Sequence, residues 1–233
     1  LVRFGWRLFH LTYVPERILL AGCESVVAVS EATAKDIRSN RLTKKPITVV
    51  YNAPEPSHQS SGRSKPTKTL VYMGTFMSYK NVETLIRGVA LLDGYRLELL
   101  SRISAERKAS LEKLAFEVGA DVRFHNGVSD SEYSNMLNTA TALVSASLDE
   151  GFGIPVVEAL AHGVPVAISD IEIFHEIAGT AGTYFEARNP ASFAEAVRTI
   201  EKHPKSPAEL KAQAARFNWD ASASELLKLI ESL

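Results

Sequence analysis

From Leu70 onward short apolar runs alternate with longer amphipathic stretches, and this alternation leaves few folds open. LVYM (70–73), RLELL (96–100), DVRFH (121–125), TALVSAS (141–147), VPVAIS (164–169) and GTYFE (182–186) have the length and composition of strands. Between them NVETLIRGVALL, SAERKASLEKLAFEVG, DSEYSNMLNTA, PVVEALAHG and IEIFHEIAG carry helical spacing. Ser129 with Glu132 three residues later reads as a capping box, and Gly163 is placed to end its helix. Strands alternating with helices pair in parallel through right-handed crossovers. Runs apolar on both faces fit a sheet covered on both sides. The expectation is an α/β fold, a Rossmann-like parallel sheet with helices on both faces. Its ligands belong at the carboxyl ends of the strands.

A smaller α/β block precedes that region. SVVAVS (25–30) and ITVVYNA (47–53) read as strands, and Ser30 caps a helix over EATAKDIRSN. PEPSHQSSGRSKPTKT lacks apolar period and is rich in Pro, Ser, Gly and Lys, which marks a linker. The boundaries expected are a partial lobe over 1–53, a linker over 54–68, the main lobe over 69–216, and a closing helix over 217–233. The chain begins with leucine, and the expectation is a piece of a longer protein. Residues 1–20 mix aromatics with Arg3, Arg7, His10 and Arg17 and are interrupted by Pro15, too broken to span a bilayer. The preferred reading is a helix packed on further protein; the alternative is peripheral contact with a membrane surface. A net charge of −1 supplies no global field, so nucleic acid is not an expected partner. The single cysteine, Cys23, excludes an internal disulfide and permits a reducing compartment.

The chemistry concentrates in SLDEGFGIPVVEALAHGVPVAIS (147–169). Glu150 leaves a strand, Gly151-Phe152-Gly153 form a flexible loop, and Pro155 opens a helix expected to hold Glu158 in its first turn. Glycines let backbone N–H groups approach a ligand, and a helix N-terminus attracts phosphate. One carboxylate before the loop and one after it can bind polyols on either side of that phosphate. A nucleotide sugar has this layout. In LVYMGTFMSYKN (70–81) a strand runs into Gly74 and Thr75, and Lys80 stands just before a helix, where it can neutralise a diphosphate.

Glu150 and Glu158, with seven residues between them, resemble the Glu-x7-Glu motif of the retaining glycosyltransferases with two facing Rossmann-like lobes, the GT-B architecture of glycosyl transferases group 1 (family 4). The resemblance covers about residues 25–230. It implies transfer of a sugar, with retention, from a nucleoside-diphosphate sugar to a glycan, lipid or small-molecule acceptor, without a metal or other cofactor. It implies catalytic roles for Glu150 and Lys80. Donor contacts would come from Gly74, Thr75, Lys80, Glu150, Gly151, Phe152, Gly153, Ile154 and Glu158, with Glu150 at the transferred sugar and Glu158 at the ribose. The family's usual first basic residue is Thr75 here, so Lys80 carries more of the expected charge. Residues 121–147 resemble the segment that holds the base, and residues 1–53 the end of an acceptor-binding lobe. The implied setting is the cytoplasm, with the inner face of the membrane as the alternative place of work. This chain alone is expected to bind donor without transferring.

Other chemistries find weaker support. Val156 stands where a dinucleotide fingerprint after Gly151-x-Gly153 needs a small residue, and no phosphate-loop Gly-Lys-Ser/Thr or zinc-like spacing occurs. No Asp-x-Asp suggests a metal bridging a diphosphate. Arg102 is more simply a surface arginine than a phosphate ligand, and His162 a helix C-terminal group. Two readings remain beside transfer: a non-catalytic nucleotide-sugar-binding lobe that needs a partner chain, and a two-lobed sugar-nucleotide epimerase.

Overall fold

The apolar runs become strands because both of their faces find partners. The computed structural model describes residues 14–55 and 65–233; the readings on residues 1–13, and those of the linker that fall on 56–64, lie outside these. In the amino-terminal block α1 (Val14–Ala21) leads to β1 (Val26–Ala28), α2 (Glu31–Ser39) and β2 (Ile47–Val49). β1 and β2 form their own parallel pair, Val27 beside Thr48. Ser30 caps α2 as its position predicts, accepting from the Thr33 N–H.

The main lobe runs β3 (Thr69–Tyr72), α3 (Val82–Val89), β4 (Arg96–Leu99), α4 (Ala105–Val118), β5 (Asp121–Phe124), α5 (Asp130–Thr139), β6 (Ala142–Ser145), α6 (Ile154–Ala161), β7 (Val166–Ser169), α7 (Glu172–Ala178) and β8 (Gly182–Phe185). Helices α8 (Pro190–Lys202), α9 (Pro207–Ala214) and α10 (Trp219–Glu231) close the chain. The strands lie in the order β5-β4-β3-β6-β7-β8, every neighbouring pair parallel. Successive residues alternate between two cores. Leu70, Tyr72, Leu97, Leu99 and Val144 pack with Leu85 of α3, Leu111 of α4 and Phe193 of α8. Val71, Leu143, Val166 and Ile168 pack on the other face with Leu160 of α6, Phe174 of α7 and Leu210 of α9. The expected two-faced burial is therefore present.

Strand order reverses between β3 and β6, since the chain steps outward to β5 and then returns beside β3. At such a switch point the loops leaving two adjacent strands diverge and open a crevice. Here those loops are 73–81 and 146–153. Helix α10 buries no residue of its own but is tied to the stretch after β2, where Ser222 Oγ donates to the Tyr51 carbonyl at 2.7 Å. Among the described residues no helix is long and apolar enough to cross a membrane.

Candidate functional site

A cavity of about 390 Å³ opens at that switch point. From the β3 side it is lined by Gly74, Thr75, Tyr79 and Lys80, and from the β6 side by Glu150, Gly151, Phe152, Gly153 and Ile154. Eight of the nine residues singled out in the sequence therefore meet around one space: Gly74, Thr75, Lys80, Glu150, Gly151, Phe152, Gly153 and Ile154. Val29 and Asn52 of the amino-terminal block also line it.

Lys80 ends a short 3-10 turn, Ser78–Lys80, that precedes α3. Its Nζ lies 2.6 Å from Glu150 Oε1 and 5.0 Å from the centre of the Tyr79 ring. Both members of the ion pair are only 14% exposed. Partial burial leaves each charge dependent on the other. Ser147 Oγ also donates to Glu150 Oε1 at 2.8 Å, and the Ser147 carbonyl in turn accepts from Ser169 Oγ at 2.5 Å. These serines fix the carboxylate from the strand ends below. An ammonium carries three N–H donors, so Lys80 can keep Glu150 and still reach an anion in the cavity.

The glycine loop passes into α6 through Gly153, whose φ of +96° is left-handed. A side chain at this position would also meet Phe174 at 2.9 Å and Ile177 at 3.2 Å. Among the described residues the N–H groups of Phe152 and Gly153 donate to no protein acceptor. The Phe152 ring itself is core: it is 4% exposed and packs edge-on against Phe217 and beside Tyr51. Its part in any ligand site falls to its backbone. On the other wall the Gly74 N–H is already committed to Ser101 Oγ at 3.0 Å, and the Thr75 carbonyl accepts from the Tyr72 hydroxyl at 2.5 Å.

Glu158 departs from its expected place. Helix α6 begins at Ile154, before Pro155, so Glu158 is the fifth helical residue and lies beyond the first turn. The positive end of the helix therefore gives it little help. It does not line the cavity. It is half-buried beside the Tyr133 hydroxyl of α5, with His162, Glu55 and Asp130 nearby. Burial pushes its carboxyl above the usual range, against the opposing pull of Tyr133 and His162. That puts it between the glycine loop and the capped start of α5, where Ser129 and Glu132 form their capping box. His162 caps the end of α6 with Nδ1 2.9 Å from the Glu158 carbonyl. Arg102 is exposed, its side chain lying against Gly127.

Sequence reasoning missed Val29, Asn52, Ser147 and Tyr133. Ser147 carried a signal, since it stands three residues before Glu150 and just past a buried strand. The other three are brought in by tertiary contacts and carry none. Among the described residues no three of histidine, cysteine, aspartate and glutamate cluster as a metal site would require.

Comparison with known proteins places the chain's family and fold. The chain is 29% identical over 202 residues to the O-antigen chain mannosyltransferase RfbU of Salmonella typhimurium, a match that covers 85% of this chain and 57% of that protein. It is 31% identical over 173 residues to a D-inositol 3-phosphate glycosyltransferase of Streptomyces scabiei, covering 66% of this chain and 39% of the relative. The chain thus spans about half the length of the curated relatives it matches. The fold is shared with HepE of Anabaena, solved in complex with UDP and glucose, at a TM-score of 0.81 and 16% identity over 95% of this chain and 67% of that one. Sucrose-phosphate synthase of Thermosynechococcus elongatus superimposes at 0.77 with 21% identity, over 94% of this chain and 61% of that one. The family described as glycosyl transferases group 1 matches residues 54–217. With a lobe of this topology and that match over most of its length, the chain belongs to the glycosyl transferases group 1 family.

Proposed function

We propose that this chain is the donor-binding part of a glycosyltransferase that moves a sugar, with retention of configuration, from a nucleoside-diphosphate sugar to a glycan, lipid or small-molecule acceptor. The observation that carries this is the meeting of the Lys80–Glu150 pair with the open Phe152 and Gly153 N–H groups of a glycine loop at the start of a helix, in one cavity at the switch point. In this reading the diphosphate lies against Lys80 and the 151–154 backbone, with Gly74 and Thr75 opposite. Charge develops on the leaving diphosphate as the glycosidic bond breaks, and Lys80 stabilises it there. Glu150 orients the transferred sugar, and Glu158 accepts from the ribose hydroxyls. The departing phosphate takes up the acceptor's proton. Residues 54–68 link this donor lobe, 69–216, to the end of an acceptor lobe, 1–53, to which the helix of 217–233 returns. The names of the Salmonella and Streptomyces relatives support glycosyl transfer as the reaction class.

The test is titration of the chain with UDP, GDP and ADP. Binding of at least one is expected in the presence of a chelator, because Lys80 supplies the counter-charge that a metal would otherwise provide. Affinity that disappears with the chelator and returns with magnesium or manganese overturns the metal-independent part of the reading.

The two glutamates are expected to separate in the same experiment. Glu158→Ala weakens the free nucleoside diphosphate by about 1.5–3 kcal/mol, the usual loss of a charged hydrogen-bond acceptor. Glu150→Ala has a smaller effect on that ligand and a larger one on the full nucleotide sugar. Equal losses for the free diphosphate would contradict the two assignments.

A further inference from the structure

The amino-terminal block is fastened to the glycine loop by its own hydroxyls. Ser30 Oγ lies 2.8 Å and Thr33 Oγ1 3.1 Å from the Gly151 carbonyl oxygen. That oxygen has two lone pairs and takes both donors. Behind this contact Glu176 of α7 grips the start of α2, its two carboxylate oxygens accepting the Glu31 N–H at 2.7 Å and the Ala32 N–H at 2.9 Å. The carboxylate thus satisfies backbone donors that a helix start leaves open. The Tyr51 phenol is pushed up to about 12, first by burial and then by its hydrogen bond to the same Glu176. Lys35 and Glu172 add an ion pair at 2.7 Å, but both are well exposed and the pair contributes little. The strong members of this clasp are the carboxylate on α2 and the two hydroxyls on Gly151.

The loop end of the clasp has a geometric consequence. The 151–152 peptide is trans, so the Gly151 carbonyl and the Phe152 N–H point in opposite directions. Holding the carbonyl toward α2 turns that N–H away from α2. The same N–H meets no protein acceptor among the described residues, although its residue lines the cavity with Lys80 and Glu150. A backbone donor left open in a cavity beside a helix start is suited to an anion.

We propose that Ser30 and Thr33 are positioning residues for the donor's diphosphate: by holding the Gly151 carbonyl from the amino-terminal block, they aim the Phe152 N–H at the phosphate. This rests on the donor reading of the cavity given above. The anion site is then complete only while α2 is clasped to α7, and by linkage the bound diphosphate strengthens the clasp in return. Donor binding and the docking of the amino-terminal block become one equilibrium.

The variants are Thr33→Val, Thr33→Val with Ser30→Ala, and Glu176→Gln. Thr33→Val removes one donor to Gly151 and leaves the Ser30 cap of α2 intact, whereas Glu176→Gln weakens the grip on α2 without touching the loop. Each is titrated with UDP, GDP and ADP and with the parent nucleosides, and the quantity read is the ratio of diphosphate to nucleoside affinity. In the double variant this ratio is expected to fall about tenfold, the loss of one charge-assisted hydrogen bond, with nucleoside affinity held within about twofold. Thr33→Val and Glu176→Gln should fall between the double variant and the wild type. An unchanged ratio in every variant of a chain that binds diphosphate overturns the proposal and leaves the donor reading standing. Equal loss of nucleoside and diphosphate marks a purely structural role and overturns it too. A wild-type chain that binds none of the three diphosphates overturns both.

Discussion

Replacing Lys80 by alanine is expected to lower sugar transfer by about 10²–10³-fold in the complete protein that carries this chain, the usual cost of one preorganised donor at a site of developing charge. Lys80 and Glu150 are each 14% exposed, so the ammonium acts where water screens it poorly. The loss should appear in kcat, because the charge on the departing diphosphate is larger in the transition state than in the bound donor. A second effect is separable. Without Lys80 the Glu150 carboxylate keeps the Ser147 hydroxyl at 2.8 Å but loses its cation. Breaking a fully buried pair costs about 3–5 kcal/mol, and this partly exposed one should cost less. Pairing Lys80→Ala with Glu150→Gln removes the stranded charge, so the stability losses of the two substitutions should sum to more than the loss in the double variant. The measurements are steady-state transfer with matched donor and acceptor, and thermal melting of the three variants. Transfer retained within a few-fold in Lys80→Ala would take Lys80 out of the chemistry.

The sheet was legible because its signal is local. Each strand is a short run whose residues alternate between two cores, as Leu70, Val71 and Tyr72 do in β3, and several helices carry their own side-chain cap. The capping box of Ser129 and Glu132 and the glycine after α6 needed no tertiary knowledge. Contacts between distant residues left no such trace. Ser30 could be read as a helix cap, but its bond to Gly151 spans 121 residues of sequence. Lys80 could be read as a cation near a helix start, yet what distinguishes it from a surface lysine is Glu150, 70 residues away. Glu158 shows how small errors of phase matter. Counting the helix from Pro155 puts it in the first turn under the helix's positive end. Because Gly153 turns the chain so that Ile154 begins the helix, it falls one residue deeper, past the first turn and beside Tyr133, where burial raises its pKa. Phe152 is divided in a way no local signal shows: the residue lines the cavity, while its ring fills the core between Tyr51 and Phe217.

Gly153→Ala should disable the loop and destabilise the fold by more than its size suggests, and Gly119→Ala is its control. Both glycines have a left-handed φ, +96° and +70°. Any L-residue pays about 1–2 kcal/mol for that conformation. Their surroundings differ. A Cβ at Gly119 has nothing within 4 Å, whereas one at Gly153 meets Phe174 at 2.9 Å and Ile177 at 3.2 Å. Both of those side chains are fully buried, so neither can step aside without disturbing the core on that face of the sheet. Overpacking of this kind costs about 1–3 kcal/mol more. For a chain of this size that excess corresponds to a melting temperature roughly 2–12 °C lower in Gly153→Ala than in Gly119→Ala. The ligand reads out the rest. Relief of the clash must come from moving the 152–154 backbone, and the Phe152 and Gly153 N–H groups move with it. Nucleoside diphosphate affinity should therefore fall at least about tenfold in Gly153→Ala, as expected when one charge-assisted bond is lost, and remain at the wild-type value in Gly119→Ala. Equal melting temperatures for the two variants, or undiminished diphosphate binding by Gly153→Ala, would show that the loop can take a side chain and that its backbone does not hold the phosphate.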